Sequence, residues 1–128
     1  MGPVRVLTVD DHATFREAAR AVVEATAGFE NVGEAVTGED GVAAAFRLHP
    51  DVVLMDVRLP DIDGYEAARR ISPHLPAIVI CLVSTAEEAL HGDSAARCGA
   101  AAVVRKQDLR PRVLEELWAA HQPGVEAS

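Results

Sequence analysis

The sequence predicts an α/β fold, a doubly wound parallel sheet of five strands with helices on both faces. Short apolar runs alternate five times with amphipathic helical patterns, which is typical of consecutive strand–helix units. The 128 residues suffice for a buried core, and a composition of 49% hydrophobic and 25% charged residues is that of a globular protein. We therefore expect one domain built from five such units.

The first two units occupy the N-terminal part of the chain. The β-branched run Val4–Val9 predicts a strand, and apolar residues at helical spacing predict a helix that ends at Gly28. A strand over 31–36 and a helix over Gly38–Leu48, closed by Pro50, form the second unit. The apolar positions predicted to face inward from these two helices are Phe15, Ala18, Ala19, Val22, Val23, Val42, Ala45 and Phe46.

The next two units form the centre of the predicted sheet. The uninterrupted apolar run 52–55 is typical of a strand covered on both faces. The helix Gly64–Ile71 follows it. The fourth strand is predicted over 77–83 and the fourth helix over 86–98, with Gly99 as the natural C-terminal cap.

The last unit completes the predicted domain, which extends over residues 1–121. The run Ala102–Arg105 predicts the fifth strand, and the fifth helix follows Pro111. Residues 122–128 show no periodicity, so we interpret them as a tail or the beginning of an interdomain linker. The apolar residues at helical spacing on the fifth helix are Val113, Leu114, Leu117 and Trp118.

Charge and composition exclude several classes of function. Twelve Lys and Arg residues against 20 Asp and Glu residues give a net charge of −8, which argues against binding nucleic acid by this chain alone. The longest apolar stretch, 77–83, is too short to cross a membrane. Cys81 and Cys98 lack metal-ligand spacing, so we expect a reducing, cytoplasmic location. The five histidines are scattered, which favours surface or core positions for them.

Polar residues stand where the predicted strands end. The carboxyl ends of parallel strands share one edge of the sheet, where ligands collect. Three close carboxylates repel one another unless a cation joins them, and hard oxygen ligands suit Mg²⁺. A hydroxyl and an ammonium group are expected beside the carboxylates at the same edge. The residues at these strand ends are Asp10, Asp11, Asp56, Ser84 and Lys106.

Each of these residues also has a purely structural interpretation. Asp10 and Asp11 could cap the first helix, and Asp56 could simply end a strand. Ser84 and Thr85 each precede a glutamate by three residues, which is the capping-box pattern. The lysine could be one more exposed cation. Their joint occurrence at the ends of four strands favours a common site.

Four motifs stand in order along the chain: Val9-Asp10-Asp11-His12, the segment 54–64 with its D-x-x-L-P-x-x-x-G pattern, Ser84, and Gly99-Ala100 seven residues before Lys106. Together they resemble the receiver domain of two-component response regulators over residues 4–121. The resemblance implies a flavodoxin-like (βα)5 sheet with strand order 2-1-3-4-5, in agreement with the five units found above.

The resemblance also implies a phosphorylation site and a metal site. Asp56 would accept a phosphoryl group from a histidine kinase. Asp11 would bind Mg²⁺ or Mn²⁺ directly, and Asp10 would reach the ion through water. Asp56 and the backbone carbonyl of Arg58 would complete the protein ligands. Such an ion offsets the like charges of a carboxylate and the phosphoryl group that it attacks.

The other implied residues form the switch. Lys106 would pair with one phosphoryl oxygen, and Ser84 would donate a hydrogen bond to another. Thr85, Ala86 and Arg58 would flank the site. The family usually has an aromatic residue three positions before the lysine, where this chain has Val103. The output mechanism is therefore left open.

The resemblance implies several expectations about partners and output. A histidine kinase is the expected partner, a homodimer on phosphorylation is possible, and no membrane contact is expected. Catalysis is limited to metal-dependent phosphorylation and dephosphorylation of the chain itself, so it is not expected to be an enzyme. The motifs are most similar to receivers that precede a helix-turn-helix domain, which favours transcriptional regulation through a DNA-binding domain outside these 128 residues.

Three alternatives remain. A stand-alone receiver would act through protein contacts. A phosphatase of the haloacid-dehalogenase kind also uses a strand-end aspartate, but it needs a second aspartate where Arg58 stands. A flavodoxin-like cofactor binder would need a phosphate-binding loop after the first strand, where Asp10 and Asp11 would repel a phosphate.

Overall fold

A parallel five-stranded sheet forms the centre of the structure, a computed structural model that describes residues 2–85 and 97–121. Its strand order, β2-β1-β3-β4-β5, confirms the predicted doubly wound arrangement. Neighbouring strands are parallel at every pairing. The strands are β1 (Val4–Val9), β2 (Phe29–Ala35), β3 (Val52–Asp56), β4 (Val79–Ser84) and β5 (Ala102–Arg105).

Helices cover both faces of this sheet. Two of them, α2 and α3, pack against one face, and α1 and α4 pack against the other. A short 3-10 turn, Lys106–Asp108, follows β5. The predicted helix over 86–98 lies outside the described residues except at its last two positions, which are helical. The described helices are α1 (Ala13–Ala25), α2 (Gly38–Leu48), α3 (Gly64–Ile71) and α4 (Pro111–His121).

Side chains that alternate along each strand divide the core into two layers. Leu7, Val53 and Met55 point toward α2 and α3, whereas Val52 and Leu54 point toward α1 and α4. Every residue of β3 and β4 is buried, as expected for central strands of a parallel sheet. The apolar run that predicted β3 therefore reflects burial on both faces.

Two predicted inward positions are wrong. Ala18 is exposed, and Phe46 is 39% exposed, with its ring centroid 6.0 Å from that of His74. On α2 the buried positions are instead Ala44 and Ala45. Helical periodicity locates a face only to within a residue or so, and the small alanines let the helix lie close to the sheet.

Some element ends also differ from the prediction. Helix α1 ends at Ala25, three residues before Gly28. Thr26 already has an extended backbone, and its hydroxyl donates to the Val22 carbonyl at 2.7 Å. Gly28 lies in the following turn with φ +84°. The strand predicted over 31–36 begins two residues earlier, and the one predicted over 77–83 begins two residues later. In the part of the chain that is described, no helix is long and apolar enough to span a bilayer.

Candidate functional site

The ends of four strands form one polar edge of the sheet. Asp10 follows β1, Asp56 ends the neighbouring β3, Ser84 ends β4, and Lys106 follows β5. Asp10, Asp56 and Ser84 are buried although they are polar. The edge lies where the strand order changes direction between β1 and β3, which is the usual ligand position in such sheets.

Lys106 connects the two buried carboxylates. Its Nζ lies 2.6 Å from Oδ2 of Asp10 and donates a hydrogen bond to Oδ2 of Asp56 at 3.3 Å. The Phe15 ring lies beneath the same ammonium, with its centroid 4.9 Å from Nζ. Lys106 is also the only lysine of the chain, beside eleven arginines. A compact ammonium on a flexible stem can approach both carboxylates at once.

The electrostatics of Asp56 reflect this crowding. Burial, and then the negative charge of Asp10, raise the pKa of Asp56 from 3.8 to about 6. The Lys106 ammonium and the backbone N–H of Arg58, 3.1 Å from Asp56 Oδ1, oppose this rise. One cation therefore compensates two buried carboxylates only in part, and the site favours further positive charge.

The acidic residues fit a divalent cation. One ligand atom from each of Asp10, Asp11, His12 and Asp56 lies within 4.8 Å of the other three. Oδ2 of Asp10 is fully buried and accepts no hydrogen bond of good geometry from the described part of the chain. Hard carboxylate oxygens in this number suit Mg²⁺ or Mn²⁺. The predicted ligand role of the Arg58 carbonyl stays a prediction.

The alternative that Asp10 or Asp11 caps α1 is wrong. The N-cap residue of α1 is His12, and its side chain makes no capping hydrogen bond. Oδ1 of Asp10 instead accepts the His12 backbone N–H at 2.7 Å, and the Arg16 guanidinium donates to the Asp10 carbonyl at 2.9 Å. These bonds stabilise the turn that presents both aspartates at the edge of the sheet.

The segment after Asp56 folds back closely on its own backbone. A Cβ atom on Gly64 would collide with the carbonyl oxygen of Asp56, and the Gly64 N–H donates to the Val57 carbonyl at 2.8 Å. Glycine is needed here for this close approach. The glycine of the D-x-x-L-P-x-x-x-G pattern therefore helps to place the aspartate of the same pattern.

Asp61 attaches this segment to α2. Its two carboxylate oxygens accept the backbone N–H groups of Gly38 and Glu39, both at 2.8 Å. Burial raises the pKa of Asp61, but these N–H donors outweigh it, so the net shift is downward. Arg70 of α3 then bonds to both Glu39 and Glu66. No sequence pattern indicated this connection between the aspartate segment and α2.

The hydroxyl side of the site is described only in part. Ser84 is buried, and its Oγ donates to the Thr85 carbonyl at 3.1 Å, whereas Thr85 itself is exposed. Ala86 and the glutamates of both capping-box patterns lie outside the described residues. The roles of Ser84, Thr85 and Ala86 therefore stay predictions.

His12 and Phe15 are parts of the site that the sequence reasoning missed. The His12 Nδ1 lies 3.1 Å from Oδ1 of Asp10 and 3.2 Å from Oδ1 of Asp11. The spacing between histidines gave no sign of this contact. The partners of His12 are not other histidines but the two aspartates directly before it in the chain. The position of Phe15 at the beginning of α1 was the available signal for its contact with Lys106.

Residues 6–117 match the family model of the response regulator receiver domain. A protein-glutamate methylesterase/protein-glutamine glutaminase from Anaeromyxobacter dehalogenans is 40% identical over 104 residues, which are 81% of this chain and 30% of that protein. Response regulator GacA from Pseudomonas aeruginosa is 38% identical over 103 residues, 80% of this chain and 48% of that protein. The chain thus spans less than half the length of these curated relatives.

Solved structures of receiver domains from response regulators are also similar to this chain. The response regulator domain of Thermotoga maritima CheB has a TM-score of 0.82 at 27% identity and covers 97% of this chain and 98% of its own. The signal receiver domain of the putative response regulator NarL from Mycobacterium tuberculosis has a TM-score of 0.84 at 27% identity, covering 94% and 98%. The match extends over nearly the whole length of both chains.

Proposed function

The chain belongs to the response regulator receiver domain family, and on that premise we propose that it is a phosphorylation switch whose acceptor is Asp56. The family implies a histidine kinase as the phosphoryl donor and an output domain or partner as the target. The observation that carries the proposal is the position of Asp56, buried at the end of β3 and hydrogen-bonded to Lys106 beside Asp10 and Asp11.

The proposed chemistry is an in-line displacement at phosphorus. A carboxylate oxygen of Asp56 attacks the phosphoryl group, the new P–O bond forms, and the P–N bond to the donor histidine breaks as its imidazole leaves. The pKa of about 6 leaves Asp56 mostly ionised near neutral pH, as an attacking carboxylate must be. The protein itself contributes little covalent chemistry. It promotes the transfer mainly by positioning the reacting groups and by compensating their charge.

Lys106 and Ser84 have separate proposed roles around the phosphoryl group. The Lys106 ammonium, already 3.3 Å from Asp56 Oδ2, would pair with one phosphoryl oxygen and stabilise its charge. The Ser84 hydroxyl would leave the Thr85 carbonyl and donate to a second oxygen. Val103 is half-buried against the α2–α3 side of the core, so any relay from Ser84 operates without an aromatic partner.

A divalent cation is the proposed cofactor. Asp11 would bind it directly, Asp10 through water, and Asp56 and the Arg58 carbonyl would complete the protein ligands. Bound there, Mg²⁺ or Mn²⁺ would neutralise charge between the carboxylate and the phosphoryl oxygens. The buried Oδ2 of Asp10, whose one close cation among the described residues is Lys106, and the raised pKa of Asp56 support this assignment.

Phosphorylation by a small-molecule donor tests the proposal. The protein is incubated with acetyl phosphate with and without Mg²⁺, and intact mass is measured. We expect a gain of one phosphoryl group that requires Mg²⁺ and maps to Asp56 after reductive trapping of the acyl phosphate. Asp108→Asn, which changes an exposed aspartate, is the matched control and should behave as wild type. No uptake, or uptake mapped to another residue, would contradict the proposal.

The lifetime of the phosphorylated form is expected to depend on Arg58. This exposed side chain stands two residues after Asp56, and its backbone N–H already bonds to that carboxylate. A long cation there can shield the phosphoryl group from water but has no acidic group to orient an attacking water. Arg58→Ala should therefore shorten the half-life about fivefold, which corresponds to about 1 kcal/mol of barrier.

The decay of phosphorylated protein, followed after removal of the donor at fixed Mg²⁺, measures this effect. Arg58→Lys is the conservative variant and should retain most of the wild-type half-life. A longer half-life in Arg58→Ala would reverse the proposed role. Unchanged half-lives in both variants would assign Arg58 to the surface alone.

The proposed output is transcriptional, exerted in the cytoplasm through a DNA-binding domain, with phosphorylation favouring a homodimer. A surface of net charge −8 assigns any contact with DNA to another domain. The similarity to a methylesterase supports a second output, and a stand-alone receiver is a third. The coding sequence after residue 128 separates them: a helix-turn-helix domain supports transcription, and a methylesterase domain or a stop codon contradicts it.

A further inference from the structure

The imidazole of His12 lies against the acidic cluster. Its Nδ1 lies 3.1 Å from Oδ1 of Asp10 and 3.2 Å from Oδ1 of Asp11. All three residues belong to the set whose ligand atoms, with that of Asp56, lie within 4.8 Å of one another. A nitrogen donor therefore stands among the oxygen donors proposed above for Mg²⁺.

These distances suit adjacent ligands of one metal ion. Two adjacent ligands at about 2.1 Å from an octahedral cation are about 3.0 Å apart, because they span a right angle at the metal. The distance from Nδ1 to Oδ1 of Asp11, the proposed direct ligand, is within a few tenths of an ångström of that value. Small side-chain rotations would thus bring Nδ1 and this oxygen onto a shared ion, which Asp10 would still reach through water.

The backbone of His12 is fixed on both sides. Its N–H donates to Oδ1 of Asp10 at 2.7 Å, and its carbonyl accepts the Arg16 N–H at 3.1 Å as α1 begins. The side chain is 65% exposed, whereas that of Asp10 is fully buried and that of Asp11 is 32% exposed. An ion arriving from solvent would meet the imidazole first and the buried carboxylate last.

We propose that His12 is a further side-chain ligand of this site and makes it prefer transition-metal ions over Mg²⁺. The inference rests on the proposed metal site. Imidazole nitrogen binds Co²⁺, Ni²⁺ and Zn²⁺ well, whereas Mg²⁺ prefers oxygen. Nδ1 binds without a proton, and the ring proton is then on Nε2. With His12 engaged, the site offers a nitrogen beside its carboxylates, so Mg²⁺ gains little and the softer ions gain a strong bond.

The opposing interpretation is that the imidazole only donates a hydrogen bond to the two aspartates. His12→Gln separates the two, because a glutamine amide can still donate but is a poor ligand for Co²⁺ or Zn²⁺. His121→Gln, at the exposed end of α4, controls for loss of a histidine elsewhere. Asp11→Ala tests the metal site itself.

Calorimetric titration of each variant with Mg²⁺, Co²⁺ and Zn²⁺ tests the inference without any phosphoryl donor. We expect His12→Gln to weaken Co²⁺ and Zn²⁺ binding about tenfold or more while Mg²⁺ binding changes little. In wild type, Zn²⁺ should shift the ¹⁵N resonance of His12 Nδ1, and His121→Gln should match wild type in all three titrations.

Different results would overturn different claims. If His12→Gln weakens all three ions equally, or none, His12 is not a selective ligand and this inference is wrong while the metal site stands. If wild type binds no divalent cation, or Asp11→Ala binds Mg²⁺ as well as wild type does, the proposed metal site itself fails. An unshifted Nδ1 resonance at saturating Zn²⁺ also overturns the inference.

Discussion

The Asp56→Asn variant is expected to accept no phosphoryl group and yet to be more stable than wild type near pH 7. The amide cannot attack phosphorus, so uptake from acetyl phosphate should be abolished. The same change removes one of two buried negative charges that share a single described cation, Lys106. An amide of nearly the same shape keeps the packing and relieves the repulsion from Asp10.

The stability gain has a defined pH dependence. Because the pKa of Asp56 is about 6 in the folded protein and 3.8 ordinarily, the folded state holds its proton more tightly between these values. The free energy of unfolding of wild type therefore falls as pH rises through this window and stays lower above it. The Asp56→Asn variant lacks this loss, so its advantage should be about 1–2 kcal/mol near pH 7 and should vanish near pH 4.

Urea unfolding of both proteins in metal-free buffer, at several pH values between these limits, measures the difference. Asp108→Asn is the control, because it removes an exposed aspartate and should not change how the free energy of unfolding varies with pH. Equal stability of Asp56→Asn and wild type near pH 7 would show that Asp56 carries no electrostatic strain. Phosphorylation of the variant would contradict the assignment of the acceptor.

The Lys106→Met variant is expected to lose about 2–4 kcal/mol of stability near pH 7, the largest change among the substitutions considered. Methionine keeps most of the unbranched stem over Phe15 but removes the ammonium that lies 2.6 Å from Asp10 and 3.3 Å from Asp56. Two buried carboxylates would then face each other without the cation. Leaving buried charges uncompensated destabilises a protein more than replacing the whole charged group by apolar residues would.

The loss of stability should depend on pH, whereas the loss from a simple packing defect would not. Without the ammonium, which lowers the pKa of Asp56, that pKa should lie above about 6. Asp56 then takes up a proton as the pH falls, one of the two charges disappears, and the variant should recover part of its stability. Arg105→Met removes the neighbouring, exposed cation and serves as control. Unfolding experiments that show the same loss near pH 5 as near pH 7 would mean that the lysine acts only through its stem. Millimolar Mg²⁺ should restore part of the stability by replacing the missing charge.

Local patterns predicted most of the fold. The continuous apolar run of β3 and the helices Gly38–Leu48 and Gly64–Ile71 agree with the structure, because burial on two faces and local turn residues act within a few residues. Exposure was predicted less well: Phe46 was expected inward and is 39% exposed. Which side of a helix meets the sheet depends on packing partners distant in the chain, which periodicity does not specify.

By itself the sequence determined the parallel α/β sheet and the set of strand-end residues around Asp56. The alternation of apolar runs with helical patterns is a local property of the chain, and so is the position of a polar residue at the end of a strand. A parallel sheet then brings these strand ends together at one edge. Only the tertiary structure decided how these groups meet. It placed Lys106 between two carboxylates far apart in the chain, turned the His12 Nδ1 toward Asp10 and Asp11, and attached Asp61 to the beginning of α2. Such contacts depend on side-chain rotamers and on backbone approaches across the fold, and no spacing along one strand or helix encodes them.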